Sequence, residues 1–187
     1  LAHTLKKRVV MEKYFHSVRL EKEKCSGCTN CIKRCPTEAI RVQKGKAKIL
    51  KERCIDCGEC IRVCPYHAKN AVTDPLSSIS QFKYKIALPA PALYAQFKMV
   101  SQVDKVDRVL SGLKAMGFDD VFEVAKGAEI CSKAIAKELE KPGIRPLISS
   151  ACPAVVRLIQ VRFPELLDNV VKVDAPVEVA AKVAKQE

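Results

Sequence analysis

The chain is expected to fold as two structural classes in series: a small α+β unit organised by cysteine, then an α/β lobe with a parallel sheet. Two observations lead there. Residues Cys25 to Pro65 carry one cysteine pattern twice, with a period of 29 residues (25 to 54). From residue 83 onward, short apolar stretches alternate with longer amphipathic ones. Strands alternating with helices of that length argue for right-handed crossovers and a parallel sheet. Between the two lies VTDPLSSISQF, where Asp74-Pro75 and the serines that follow signal a boundary. The expected division is a leader over 1–20, a cysteine unit over 21–73, a linker over 74–82 and the α/β lobe over 83–187.

The first motif reads CSGCTNCIKRCP and supplies Cys25, Cys28, Cys31 and Cys35; the second reads CIDCGECIRVCP and supplies Cys54, Cys57, Cys60 and Cys64. Three thiolates within a seven-residue loop can take three corners of one iron–sulfur cube, and a fourth before proline reaches another cube in two-cluster proteins of this spacing. Zinc is the rival, but structural zinc sites pair two knuckles around one ion. A third cysteine in each run and a duplicated Cys-Pro ending have no use there. A disulfide framework fits worse, because LAHTLKKRVV is too short and basic for the apolar core of a secretory leader.

This stretch resembles the two-cluster bacterial ferredoxin domain over about 45 residues. The resemblance implies two 4Fe–4S clusters, one held by Cys25, Cys28, Cys31 and Cys64, the other by Cys54, Cys57, Cys60 and Cys35. Ile32 and Ile61 occupy equivalent places and would shield the clusters from water. AIRVQKGKAKIL, Ala39 to Leu50, alternates around Gly45 and predicts a hairpin inserted between the half-repeats. FHSVRL, Phe15 to Leu20, reads as an edge strand. Lys33, Arg34 and Arg62 lie beside ligand positions and would favour the reduced, more negative form.

Net charge is +12, from 33 basic and 21 acidic side chains. Two oxidised clusters with their thiolates would lower this to about +8. A basic chain invites a nucleic-acid reading. Only 5% of residues are aromatic and the lysines are scattered, so no nucleic-acid partner is expected. The basic surface suits an acidic redox partner instead: a ferredoxin, a flavodoxin or a flavoprotein subunit. No apolar run is long enough to span a membrane. Cysteine in metal-type spacing argues for a reducing cytoplasm, with an anaerobic setting as its extension.

In the lobe, KYKIALP reads as a strand and ALYAQF as helical. VDKVDRVLSGLKAMG carries Val103, Val106, Val109, Leu110, Leu113 and Met116 at helical spacing, ended by Gly117. DDVFEVA and PLISS are further strand candidates; AEICSKAIAKELEK, PAVVRLIQVRF and APVEVAAKVAKQE are helical. Ligands of open parallel sheets bind beyond the carboxyl ends of strands, which singles out Pro89-Ala90-Pro91 and Ser149 to Pro153. Pro153 suits the first turn of a helix. Cys152 then sits at the cap, where amides and the helix dipole favour a thiolate. Cys131 is assigned to core packing.

The runs IALPAPALYAQF, GLKAMGFDDVFEVAKGAEI and ISSACPAVVRLIQVRFPELL resemble the start of the catalytic domain of iron-only hydrogenases, over roughly residues 82–187. The most specific piece is SSACPA, similar to the family's T-S-C-C-P motif. By that resemblance Cys152 ligates the cubane half of the catalytic H-cluster, while Ala90, Pro91 and Ala92 lie in the H-cluster environment, along its di-iron half. Ala151 replaces the family's proton-relay cysteine and has no transferable proton, as in the sensory, PAS-linked branch. The family's remaining H-cluster cysteines lie in later motifs, so downstream sequence or a second chain would have to complete the site. By itself the chain is expected to be inactive as a hydrogenase. The implied function is electron transfer through two clusters to or from an H-cluster domain, for hydrogen and proton redox chemistry or hydrogen sensing. The alternatives are a non-catalytic ferredoxin-type docking module and a hydrogenase-like iron–sulfur assembly protein.

Overall fold

A computed structural model of the protein describes residues 16–97 and 103–186. The chain divides into two compact units. One holds the residues up to Asp74 together with Ala154–Leu167; the other holds Pro75–Pro153 and the residues from Asp168 onward. Phe15, the first residue of the expected edge strand, lies outside the described residues.

The first unit begins with β1 (Val18–Leu20), α1 (Asn30–Lys33) and β2 (Ile40–Gln43) and continues with β3 (Lys46–Ile49), α2 (Glu59–Arg62) and β4 (Lys69–Ala71). β1 pairs antiparallel with β4, and β2 with β3. The hairpin is there, but it is not an insertion: β2 closes the first half and β3 opens the second. Val18 faces Ala71 in one ladder and Ala47 faces Val42 in the other. Shifting the first pair by the 29-residue period (18 to 47, 71 to 42) produces the second. Each half therefore lends one strand to the other.

The backbone repeats as faithfully as the cysteines. Positive φ occurs at Gly27 and Asp56, at Thr29 and Gly58, and at Glu38 and His67, each pair one period apart. Gly27 is the member of its pair that cannot carry a side chain, since a Cβ there would lie 2.5 Å from the carbonyl oxygen of Gly45. Lys44 and Gly45 both have positive φ, the mark of a two-residue type I′ hairpin. The core is small: Cys25, Cys31, Ile40, Ala47 and Ala68 are buried, with Leu20, Ile32 and Ile49 packed on them.

In the second unit a 3₁₀ turn (Leu76–Gln81) stands where a linker was expected. Then come β5 (Ile86–Ala87), α3 (Pro91–Tyr94), α4 (Val103–Ala115), β6 (Asp120–Val121) and α5 (Val124–Glu140). α6 (Pro153–Arg162) follows, and from Ala154 its residues belong to the first unit. There the Arg157 guanidinium donates to the Glu52 carbonyl at 3.1 Å, and Arg162 lies 3.7 Å from the Glu38 carboxylate. α7 (Pro176–Ala184) ends the described chain.

The parallel sheet is smaller than the sequence suggested. β5 and β6 pair in parallel over two residues each, and PLISS contributes a single parallel bridge from Ile148 to Val170. The apolar residues expected to lengthen the strands are used elsewhere. Phe122 and Val124 bury themselves with Ala180 and Ala184 of α7, and Ile86, Leu88 and Val183 pack on that cluster. Val124 already begins α5 as its N–H meets the Pro89 carbonyl at 3.1 Å.

α5 and α7 approach so closely that a Cβ on Gly127 would lie 2.3 Å from the Pro176 carbonyl oxygen and 2.9 Å from the Ala180 nitrogen. Gly112, in α4, has open space at the same position. Gly127→Ala should therefore overpack the crossing and cost about 1–3 kcal/mol. Gly112→Ala should gain up to about 1 kcal/mol from reduced backbone freedom. Urea unfolding followed by helical circular dichroism should show opposite shifts of midpoint for the same added methyl; a common direction would disprove the close crossing.

Candidate metal centres

Two cavities in the first unit gather the motif cysteines. The first is lined by Cys25, Cys28, Cys31 and Cys64, with Val42, Ala47 and Ala68 as apolar wall. The second is lined by Cys54, Cys57, Cys60 and Cys35, with Val18, Ile40 and Ile49. Each takes three cysteines from one motif and the fourth from the other, Cys35 or Cys64, which stands just after the short helix α1 or α2 and before proline.

Backbone amides point at the sulfurs. Ala39 N–H donates to Cys35 Sγ at 3.2 Å, and its equivalent one period on, Ala68 N–H, donates to Cys64 Sγ at 3.3 Å. Ala47 N–H donates to Cys25 Sγ at 3.4 Å. Such donors stabilise negative charge on sulfur, as a thiolate ligand needs. Four thiols around each cavity, in apolar walls with inward amides, fit an iron–sulfur cluster.

The surroundings of the two cavities differ. Burial pushes the Cys25 thiol up, but the Ala47 and Gly27 amides with Lys69 and Lys46 outweigh it and hold it below its ordinary range. Cys54 is pushed up, by burial first and then by the Asp56 carboxylate. Burial raises Cys60 to about 12. A thiol like Cys60 ionises only with a cation against it, which iron supplies on binding.

Sequence reasoning missed Lys69. It is 2% exposed, lines the first cavity, and donates from Nζ to Cys31 Sγ at 3.0 Å. The signal was a lysine in a buried strand position whose repeat partner is Ile40 (69 to 40). Lys33, Arg34 and Arg62, singled out for the same task, are exposed, and Arg62 is paired with Glu59 at 2.7 Å.

In the second unit, Cys152 precedes Pro153, the first residue of α6, and is exposed. Ala151, Ala90, Pro91 and Ala92 are exposed too. Pro91 opens α3, and the Ala151 N–H donates to Ser149 Oγ at 3.3 Å. A single thiol cannot hold an H-cluster, so the described residues do not by themselves fit that cofactor. Cys131 is buried, 3.4 Å from the Asp174 carbonyl, and burial raises its thiol. No described helix is long and apolar enough to cross a membrane.

Comparison with known proteins joins the two halves. The 4Fe-4S dicluster domain family matches residues 17–65. The family described as iron only hydrogenase large subunit, C-terminal domain, matches residues 83–187. Iron hydrogenase 1 of Clostridium pasteurianum is 30% identical over 125 residues, which is 63% of this chain and 21% of that protein. The periplasmic [Fe] hydrogenase large subunit of Nitratidesulfovibrio vulgaris is 30% identical over 187 residues, 91% of this chain and 44% of that protein. The chain thus spans less than half the length of either relative. With one family covering the cysteine repeat and the other the remaining 83–187, the chain is an iron–sulfur protein that belongs to the iron-only hydrogenase large-subunit family.

Proposed function

We propose that this chain is the electron-carrying segment of a hydrogenase-type protein, with Cys25, Cys28, Cys31 and Cys64 holding one 4Fe–4S cluster and Cys54, Cys57, Cys60 and Cys35 the other. The observation that carries the proposal is the pair of cavities, each lined by three cysteines of one motif and the Cys-Pro cysteine of its repeat. When bound, the clusters supply one-electron carriers in series. The protein holds them by thiolates, aims the amides of Ala39, Ala47 and Ala68 at sulfur, and keeps water back with Val42, Val18, Ile40 and Ile49.

Electrons would come from a one-electron carrier of the ferredoxin or flavodoxin kind, or from a flavoprotein subunit. They would pass to or from an H-cluster domain, of which the second unit is one part, for hydrogen and proton redox chemistry. Cys152 is its candidate ligand, and further sequence or a second chain would have to supply the other ligands. Ala151 cannot relay a proton, which favours a hydrogen-sensing role over rapid turnover. Thiol usage still favours the cytoplasm, although one relative is named periplasmic.

Cys57→Ala should remove one cluster or convert it to a three-iron form, lowering iron from about eight per chain. Retention of about eight irons would refute the ligand sets. Alkylation offers a second check. In the cluster-loaded chain a thiol reagent should label Cys152 alone of the ten cysteines, because eight are bound to iron and Cys131 is 3% exposed. Mass spectrometry should find one label per chain, and several more once iron is stripped. Early labelling at any motif cysteine would count against its role as a ligand.

A further inference from the structure

The 29-residue repeat makes each cavity a built-in control for the other. Several equivalent positions of the two differ in charge. Lys46 donates from Nζ to the Cys25 carbonyl at 2.7 Å; its counterpart Ser17 donates its N–H and hydroxyl to the Asp56 carboxylate at 3.0–3.1 Å. Asp56 itself lines the second cavity, where the first has Gly27. Lys69 lines the first cavity with its ammonium on Cys31 Sγ, where the second has the apolar Ile40. A further difference, Glu59 against Asn30, points the same way, since Arg62, which pairs with Glu59, has the equally basic counterpart Lys33. A neutral Thr37 hydroxyl 3.7 Å from Cys35 Sγ does little to redress the balance.

Of these groups Lys69 acts most directly. It is buried, so water screens its charge little. A charge-assisted hydrogen bond to a ligand sulfur stabilises the more negative, reduced cluster and so raises its reduction potential. Given the ligand sets proposed above, we propose that Lys69, acting through Cys31, makes the cluster of Cys25, Cys28, Cys31 and Cys64 the first of the two to accept an electron. The other cluster, beside Asp56 and Ile40, is the stronger reductant. A one-electron carrier supplies the electron, and no bond is made or broken at Lys69.

The test is a reductive titration of the cluster-loaded full chain, followed by EPR, with Lys69→Met and the charge-keeping Lys69→Arg alongside. The wild type should show two separated one-electron waves. In Lys69→Met the upper wave should fall so that, at a fixed potential, its reduced-to-oxidised ratio drops at least tenfold, about 59 mV for one electron. The lower wave should fall by less, because the Lys69 charge also reaches Cys60 of the other set, and Lys69→Arg should keep both. Unmoved waves in Lys69→Met at full iron content would overturn the inference. Should that variant lose its iron, wild-type protein carrying 15N-lysine decides. Pulsed EPR after the first electron should show the lysine nitrogen coupled to the reduced cluster; coupling that appears only with the second electron overturns the assignment. Iron near eight per chain in the wild type keeps the ligand sets standing whichever way the potentials fall, whereas less iron would count against those sets instead.

Discussion

Eight sulfur atoms must be turned inward within about 40 residues, and the first unit's backbone is shaped by that demand. Up to Asp74 its described regular elements are three or four residues long, far too short to be stable alone. The buried cluster around the first motif is alanine and cysteine with a single isoleucine. A core of that size offsets little of the entropy lost on folding. What remains is the interior space lined by thiols, so metal binding and folding are coupled in this unit. Left-handed residues at paired positions are the local consequence, because tight loops around a cluster need backbone turns that helices and strands do not provide.

Much of this could be read in advance from particular residues. The C-x2-C-x2-C-x3-C-P spacing announced two iron–sulfur centres, and the Gly45 turn announced a hairpin. The role of that hairpin was not legible, since strand partners one period apart are a matter of register rather than composition. Lys69 was hidden for another reason. It stands outside the motif, and a lysine in a short strand looks like a solvated edge residue until its side chain is found buried against Cys31.

The second unit was harder to read. DDVFEVA has the composition of a strand, yet Phe122 and Val124 serve a helix crossing and only Asp120 and Val121 pair. Period alone cannot separate a buried strand from the start of a buried helix. Gly127, unremarkable in sequence, sets how near α7 can come. Cys152 was legible as a residue at a strand–helix junction; its chemistry depends on groups that other sequence would bring.

The exchange of strands has a bearing on how the two centres fare under attack. β1 and β4 join the outer ends of the two halves, while β2 and β3 join their inner ends, and each thiol-lined space borrows one cysteine across the divide. Neither half is a separable module, however clearly the sequence repeats. With the proposed ligand sets, oxygen that stripped iron from one space would free a cysteine supplied by the other motif, and the two centres would share a single fate.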